Sequence, residues 1–370
     1  MLNKDSKHGI GKTAAFILLG AFLAVNYLSG CSPTYIAKAG WEEAQILWGK
    51  EPIPEVLSRE DTSEELKKNL SLVLDVRKFC EEQGLTPGGS YTEYYDIKRD
   101  VLVWVLSAAP KESFAPHTWW FPIVGSVPYK GFFDKEQGLE EARDFEKKGY
   151  DIYLRPSPAF STLGWFKDPF LSTMVSKDEI ATANLIIHEL LHNTLWIRNH
   201  VSFNETMANV TGAAGAIAYF EMRDGPSSPL AVKARERFED ELLYADYLGQ
   251  SIDRIEKLYK QGLSKDELLE ARKVLFEDIL KGWEEVKPKL KSGGYSSFGK
   301  NLNNAVILSR RAYFDRYRTF YKLYKVRSNS NFSVFLEQIK KLAEIAKSSD
   351  SEIWQLLEDF IASDPIPATS

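Results

Sequence analysis

The sequence predicts an α+β fold, predominantly helical, in which a small mixed or antiparallel sheet is flanked by helices. Three observations predict it. Apolar residues recur at helical spacing from Tyr35 to about Gln83, and again through almost all of the chain after Gly225. Between these regions "YTEYYDIKRDVLVWVLSAAP", "WWFPIVGSVPYKGFF" and "YDIYLRPSPAFSTLGWF" are rich in β-branched and aromatic residues, the spacing expected of strands. Finally, "HELLHNTLWIRNHVSFNETMAN", beginning at His188, puts two histidines on one helical face and follows them, after a short turn, with a second helix.

The chain has 370 residues, 44% hydrophobic and 13% aromatic, enough to bury a large core in one large domain or two smaller ones. Against 47 Lys and Arg stand 52 Asp and Glu, and no run of one sign resembles an arm for phosphate backbones, so nucleic acid is not expected as a partner. No internal repeat or low-complexity tract is evident.

The first thirty residues stand apart. Lys4, Lys7 and Lys12 in "MLNKDSKHGIGK" precede the apolar run "TAAFILLGAFLAV", the layout of an export signal. "LSGC", Leu28 to Cys31, resembles the lipobox of bacterial lipoproteins, in which the cysteine is lipidated and becomes the mature N-terminus. Cys31 is therefore expected to tie the protein to a membrane of the cell envelope. Ser32 after it resembles outer-membrane lipoproteins, facing the periplasm if the source has two membranes. A plain secretory signal or an uncleaved anchor is the other reading, although the run is short for a span of about 20 residues. Cys80 is the only other cysteine and sits in a helical pattern, "LSLVLDVRKFC", as a small buried residue with no disulfide partner.

Along the remaining chain, Ser63 is placed to cap a helix through "SEELKKNLSLVLDVRKFCEEQG", and Gly84 to stop it. "DKEQGLEEARDFEKKG" forms a helix between the second and third β-rich runs. After Gly225 the helical runs are charge-dense, broken once at "KSGGYSSFGKN", and read as a solvated exterior over an apolar stripe that caps the site.

The helix carrying the histidines should run from about Lys177 to Trp196, with Ser176 and Glu179 as a capping box. His188 and His192 then lie one turn apart, which lets two imidazoles share one Zn2+ ion. Glu189, turned about 100° from His188, suits a general base for water on that ion. Three protein ligands and an open position are the pattern of a zinc hydrolase, so a third ligand is needed. His200 fits poorly, because the metzincin pattern would want histidine where Arg198 stands and glycine where Leu195 stands. Glu205, opening the next helix, could return over the histidine face, yet Ser202 and Glu205 also fit a capping box, and both readings stay open. "NETMA" resembles the N-E-x-x-A/S segment of gluzincins, whose third zinc ligand is that glutamate. Where thermolysin-like enzymes carry an aspartate to steady a histidine ligand, this chain has Asn209.

Other residues are weaker candidates. "FSTLGWF" before the motif could edge a substrate cleft, with Gly164 allowing close approach, or be an ordinary strand with a bulge. Tyr313, by analogy with gluzincins that use a downstream tyrosine or histidine, is a candidate oxyanion donor, against the alternative of a packed aromatic. Tyr153 is a weaker choice, and His117 reads as structural.

Taken together, "YIAKAGWEEAQILWGKEPI", "WWFPIVGSVPYKGFFD", "PAFSTLGWFKDP", "HELLHNTLW", "FNETMAN" and "NNAVILS" resemble a family of bacterial lipoproteins known as predicted aminopeptidases. The resemblance covers most of the chain and implies a membrane-attached zinc metallopeptidase with a zincin-like core. It carries over His188, Glu189 and His192, with Glu205 as third ligand. No G-A-M-E-N segment is present, so binding of a free substrate amine is not supported residue by residue. The expected organisation is a signal at 1–30, a helical segment at 31–90, a catalytic core at 91–225 and a helical region at 226–370. The expected substrate is a peptide or protein. Two rival readings are a chaperone-like lipoprotein that binds envelope proteins, and a zinc hydrolase of peptidoglycan peptides.

Overall fold

A computed structural model describes residues 41–363, apart from 43, 122–124, 158–166, 296–297, 300 and 349–350. Cys31 and Gly164, with all of "FSTLGWF", lie outside the described residues. The architecture is mostly helical with small sheets. In chain order the elements are β1 (Glu51–Pro52), α1 (Ile53–Ser58), α2 (Glu64–Glu82), β2 (Glu93–Tyr95), β3 (Val103–Pro110), β4 (Trp119–Phe121), β5 (Gly125–Val127) and β6 (Lys130–Phe132). They continue with α3 (Lys135–Lys147), β7 (Tyr150–Ser157), β8 (Phe170–Leu171), α4 (Glu179–Thr194), α5 (Val201–Asp224), α6 (Pro229–Tyr259) and α7 (Lys265–Val286). The chain closes with α8 (Asn304–Phe314), α9 (Tyr317–Lys322), α10 (Phe332–Ser348) and α11 (Ile353–Ala362).

The β-rich stretches divide into three small sheets. An antiparallel sheet has the order β6-β3-β7, a mixed sheet the order β1-β2-β8, and β4 and β5 form a separate antiparallel pair. Along the β3–β7 ladder Val105 faces Arg155 and Ser107 faces Tyr153. Helix α3 seals one side of this sheet around Leu106, Trp119, Phe132 and Ala142. His117 belongs to that packing, its ring edge-on to Trp119 at 4.6 Å and 4.8 Å from Phe145, as expected of a structural histidine.

Two expectations about helix ends are confirmed and two are corrected. Ser63 does cap α2, accepting from Leu66 N at 3.3 Å, and Gly84 follows with φ +97°, a conformation glycine takes without strain. Cys80 is fully buried in that helix, and burial pushes its thiol up. Helix α4, however, begins at Glu179, two residues later than predicted. Its cap is Asp178, whose Oδ1 accepts from Ile180 N and Ala181 N, while Ser176 Oγ supports Asp178 N from outside the helix. Glu179 does not fold back as a capping partner but pairs with Lys68 and Arg223. The helix also ends at Thr194, short of Trp196, because Leu195 turns to extended backbone.

The main core gathers Val73, Val76 and Phe79 of α2, Ile186, Ile187 and Leu190 of α4, Phe203, Met207 and Val210 of α5, and Phe335 and Leu336 of α10. Each such side chain contributes roughly 1.5–3 kcal/mol by leaving water. Helices α4 and α5 approach closely because α5 carries small residues where they meet. A Cβ added to Gly212 would stand 2.8 Å from the Asn184 carbonyl oxygen, and one added to Gly215 would stand 2.9 Å from Ile187. A second core of Tyr244, Leu248, Phe276, Trp283 and Ile307 joins α6, α7 and α8.

Helix α8 is fastened to the β3–β7 sheet by buried polar contacts. Asp151 of β7 pairs with Arg272 of α7 and accepts from Asn304 N at 3.0 Å. The Asn304 side chain donates to Pro110 O, and Asn303, the α8 cap, donates to Ile152 O at 3.1 Å. These bonds aim the far end of α8, with Tyr313, at the α4–α5 face.

Candidate active site

The site is built at the α4–α5 junction, and the turn between those helices explains why. Buried Asn204 staples the turn: its Oδ1 accepts from Ile197 N at 2.9 Å, and its Nδ2 donates to Ile197 O at 2.7 Å and His200 O at 2.9 Å. Asn199 supplies the left-handed residue, φ +65°. The chain therefore reverses in a fixed geometry, and the residue after Asn204 falls over the last turns of α4.

That residue is Glu205. Its Oε2 lies 3.3 Å from His188 Nε2 and 3.6 Å from His192 Nε2, and the two Nε2 atoms are 3.2 Å apart. All three side chains are buried. The capping alternative does not describe this residue, because α5 begins at Val201 after His200, and Ser202 Oγ reaches Asp315 Oδ2 at 3.4 Å. His200, exposed at the helix start, is not part of the cluster.

Burial opposes a charge on Glu205, but the His192 and His188 rings outweigh it and hold the carboxyl well below its ordinary range. Burial likewise disfavours a charge on His188, and Glu205, Glu189 and Asn209 together raise it. Two buried imidazole nitrogens and a carboxylate oxygen converging this closely need a shared cation or proton. A tetrahedral ion with bonds of about 2.0–2.1 Å holds its ligands about 3.3–3.4 Å apart. The observed triangle has those dimensions, so His188, His192 and Glu205 could hold one such ion.

Glu189 lies beside the triangle and takes no part in it. Its buried Oε2 has no hydrogen-bond partner among the described residues. An orphaned carboxylate oxygen at that place suits a group that bonds a water or substrate proton. His192 Nδ1 likewise has no hydrogen-bond partner among the described residues, and the Trp196 ring packs edge-on against this imidazole at 5.3 Å.

The family described as "Putative aminopeptidase" matches residues 34–353 of this chain. The chain belongs to that family. No curated protein and no solved structure matches it. Membership makes a peptidase the coarse functional reading, and the cluster lies well inside the matched region.

A wall of residues distant in sequence completes the site of this aminopeptidase-family protein. Asn209, one turn after Glu205, hydrogen-bonds the His188 ring and donates from Nδ2 to the Tyr313 carbonyl at 2.9 Å. Tyr313, the candidate oxyanion donor, thus has its backbone beside the cluster. It lines a small cavity with Tyr129, Arg155, Pro116, Leu308 and Ser309. Burial, and then the charge of Glu205, push its hydroxyl up, and the same two causes act on Tyr129, so both remain donors at neutral pH. The Arg155 guanidinium carbon sits 5.9 Å from the Tyr313 ring centre. Tyr153 stays on β7 opposite Ser107 and outside this cavity lining. Tyr129 and Arg155 were missed by sequence reasoning. The only local signal was that each lies in or beside a β-rich segment, "VPYKGFF" and "IYLRPS", which says nothing of their convergence.

Proposed function

We propose that this protein is a zinc-dependent peptidase in which His188, His192 and Glu205 hold one ion and Glu189 is the general base. The observation that carries the reading is the 3.2–3.6 Å triangle of donor atoms with the orphaned Glu189 oxygen at its side. An ion bound there supplies polarisation of the scissile carbonyl and a lowered pKa for the attacking water. Glu189 takes one proton from that water as its oxygen bonds to the carbonyl carbon, and delivers the proton to the amine nitrogen as the C–N bond breaks. Tyr313 donates its hydroxyl hydrogen to the carbonyl oxygen as that oxygen gains negative charge. Asn209 keeps the His188 ring oriented, as outer partners of metal-binding histidines do.

The test is metal analysis beside peptide hydrolysis. Glu189→Gln should keep one zinc per chain while hydrolysis falls about 10²–10⁴-fold. Undiminished hydrolysis in that variant, or a wild type that takes up no zinc, would end the proposal. Action from the amino end of the peptide rests on the family description. A zincin-like core is the fold reading that accompanies this chemistry.

Among the described residues no helix is long and apolar enough to cross a membrane. Envelope attachment rests on the apolar run and "LSGC" ahead of them. Cys31→Ser should release the protein from the membrane fraction of its host, and equal membrane recovery of variant and wild type would count against lipidation.

A further inference from the structure

The wall opposite the α4–α5 cluster holds a cation that no carboxylate answers. Arg155 is half-buried on β7, and among the described residues no carboxylate forms an ion pair with it. Other arginines at packed faces are matched by an acid, Arg272 by Asp151, Arg237 by Asp178 and Arg235 by Glu221, or by backbone carbonyls, as Arg310 is by Phe298 O and Arg327 by Phe360 O. The residues around Arg155 in its cavity, Ser107, Pro116, Tyr129, Leu308, Ser309 and Tyr313, include no acid. A guanidinium partly withdrawn from water without a counter-charge is costly to fold, and such costs are retained where a ligand supplies the missing charge.

Its position relative to the cluster follows from two contacts. The Arg155 guanidinium lies against the Tyr313 ring at 5.9 Å, and the Tyr313 backbone is tied at 2.9 Å to Asn209, which hydrogen-bonds His188. Arg155, which hydrogen-bonds the Tyr313 side chain and has no acid beside it, therefore shares one cavity with Tyr129 and Tyr313, next to the atoms proposed to cleave the peptide. An extended peptide advances about 3.4 Å per residue, so residues adjoining the scissile bond are the ones whose groups could reach a cavity that adjoins the cluster.

We propose that Arg155 receives a carboxylate of the substrate, so that this site takes peptides bearing an anionic group next to the bond that is cut. The fork geometry of a guanidinium matches a carboxylate with two parallel hydrogen bonds, which a free amine cannot form and whose charge would be repelled. The carboxylate is either the free C-terminus of a short peptide or an Asp or Glu side chain. The proposal deepens the peptidase reading and rests on it for the identity of the ligand as a peptide.

The experiment compares three matched short peptides: one with a free C-terminus, its C-terminal amide, and an amidated peptide with glutamate at the same position. Wild-type zinc enzyme should favour at least one anionic peptide over the neutral amide by about ten- to a hundredfold in kcat/KM, chiefly through KM. The peptide that gains identifies the source of the carboxylate. In Arg155→Met the ratio should fall to about one, in Arg155→Lys part of it should return, and in Arg155→Glu it should invert toward a lysine-containing peptide. A wild type without preference, or a preference that survives in Arg155→Met, overturns the proposal. So does a fall in kcat on all three peptides with an unchanged ratio, which would make Arg155 a support for Tyr313. Calorimetric titration of the metal-free protein with the same free-acid and amide peptides separates this inference from the catalytic one. Tighter binding of the acid, lost in Arg155→Met, sustains the Arg155 assignment even if no hydrolysis is found, and equal binding of acid and amide overturns it.

Discussion

Two buried glutamates, Glu205 on α5 and Glu241 on α6, are exposed by only 7% and 8%, yet their neighbours send them in opposite directions. Glu205 meets two imidazoles and is held ionised well below the usual range. Glu241 meets the Tyr317 hydroxyl at 2.6 Å and Tyr295, and burial, only partly offset by those bonds, pushes its carboxyl up to about 7. The difference teaches that burial alone says nothing about chemistry. What matters is whether the group faces others that need a common cation or merely donors that satisfy it. One carboxylate belongs to the candidate site, and the other to the scaffold that holds α6 against α9.

The comparison breaks most visibly at Glu205. Glu205→Ala should strip zinc from the protein and bring hydrolysis to background, measured by metal analysis after gel filtration. A variant that retains one tightly held ion would move Glu205 out of the site and into the class of Glu241. A smaller loss is expected at the wall: Tyr313→Phe should lower kcat about 10²-fold with metal content unchanged. Rates within twofold of wild type would leave Tyr313 as packing. The smallest effect separates the two glutamates by pH. Glu241 has its folded value raised above the unfolded 4.5, so its contribution is present below pH 4.5 and is lost as pH rises through about 7, on the order of 3 kcal/mol. Glu205 has the opposite sign, losing its contribution on acidification. Urea unfolding at pH 5 and pH 8 should therefore show Glu241→Gln flattening the decline seen in wild type, with hydrolysis unchanged. An equal decline in both would remove Glu241 from the account.

What was legible in the sequence is what depends on short spacing. His188, Glu189 and His192 share consecutive turns of one helix, so their relative placement needs no tertiary information. Glu205 was half legible: twelve residues, a turn among them, lie between it and His192, and only the Asn204 staple decides whether that turn brings it back over the histidines. The capping-box readings failed for a local reason. S-x-x-E occurs twice near helix starts, but Asp178 competes better than Ser176, and His200 sets the start of α5 ahead of Ser202. Tyr129 and Arg155 were illegible, since their meeting with Tyr313 depends on the β3–β7 register and on the Asn304 and Asp151 bonds that dock α8 from some 150 residues away. The helical character of the C-terminal half was read correctly because periodicity alone carries it, and the split into three sheets was not, because short strands leave their partners unstated.

The glycines of α5 have a further consequence for which ion the site would accept. With Gly212 and Gly215 letting α5 lie against Asn184 and Ile187, the helices have no room to move closer and lose packing if they separate. The donor triangle is thus gauged by backbone contact rather than by the ion. An aperture fixed at that size favours cations with bonds near 2.0–2.1 Å and discriminates against calcium, whose ligands stand at about 2.3–2.6 Å and number six or more. Selectivity among metals would then reside in residues that touch none of them.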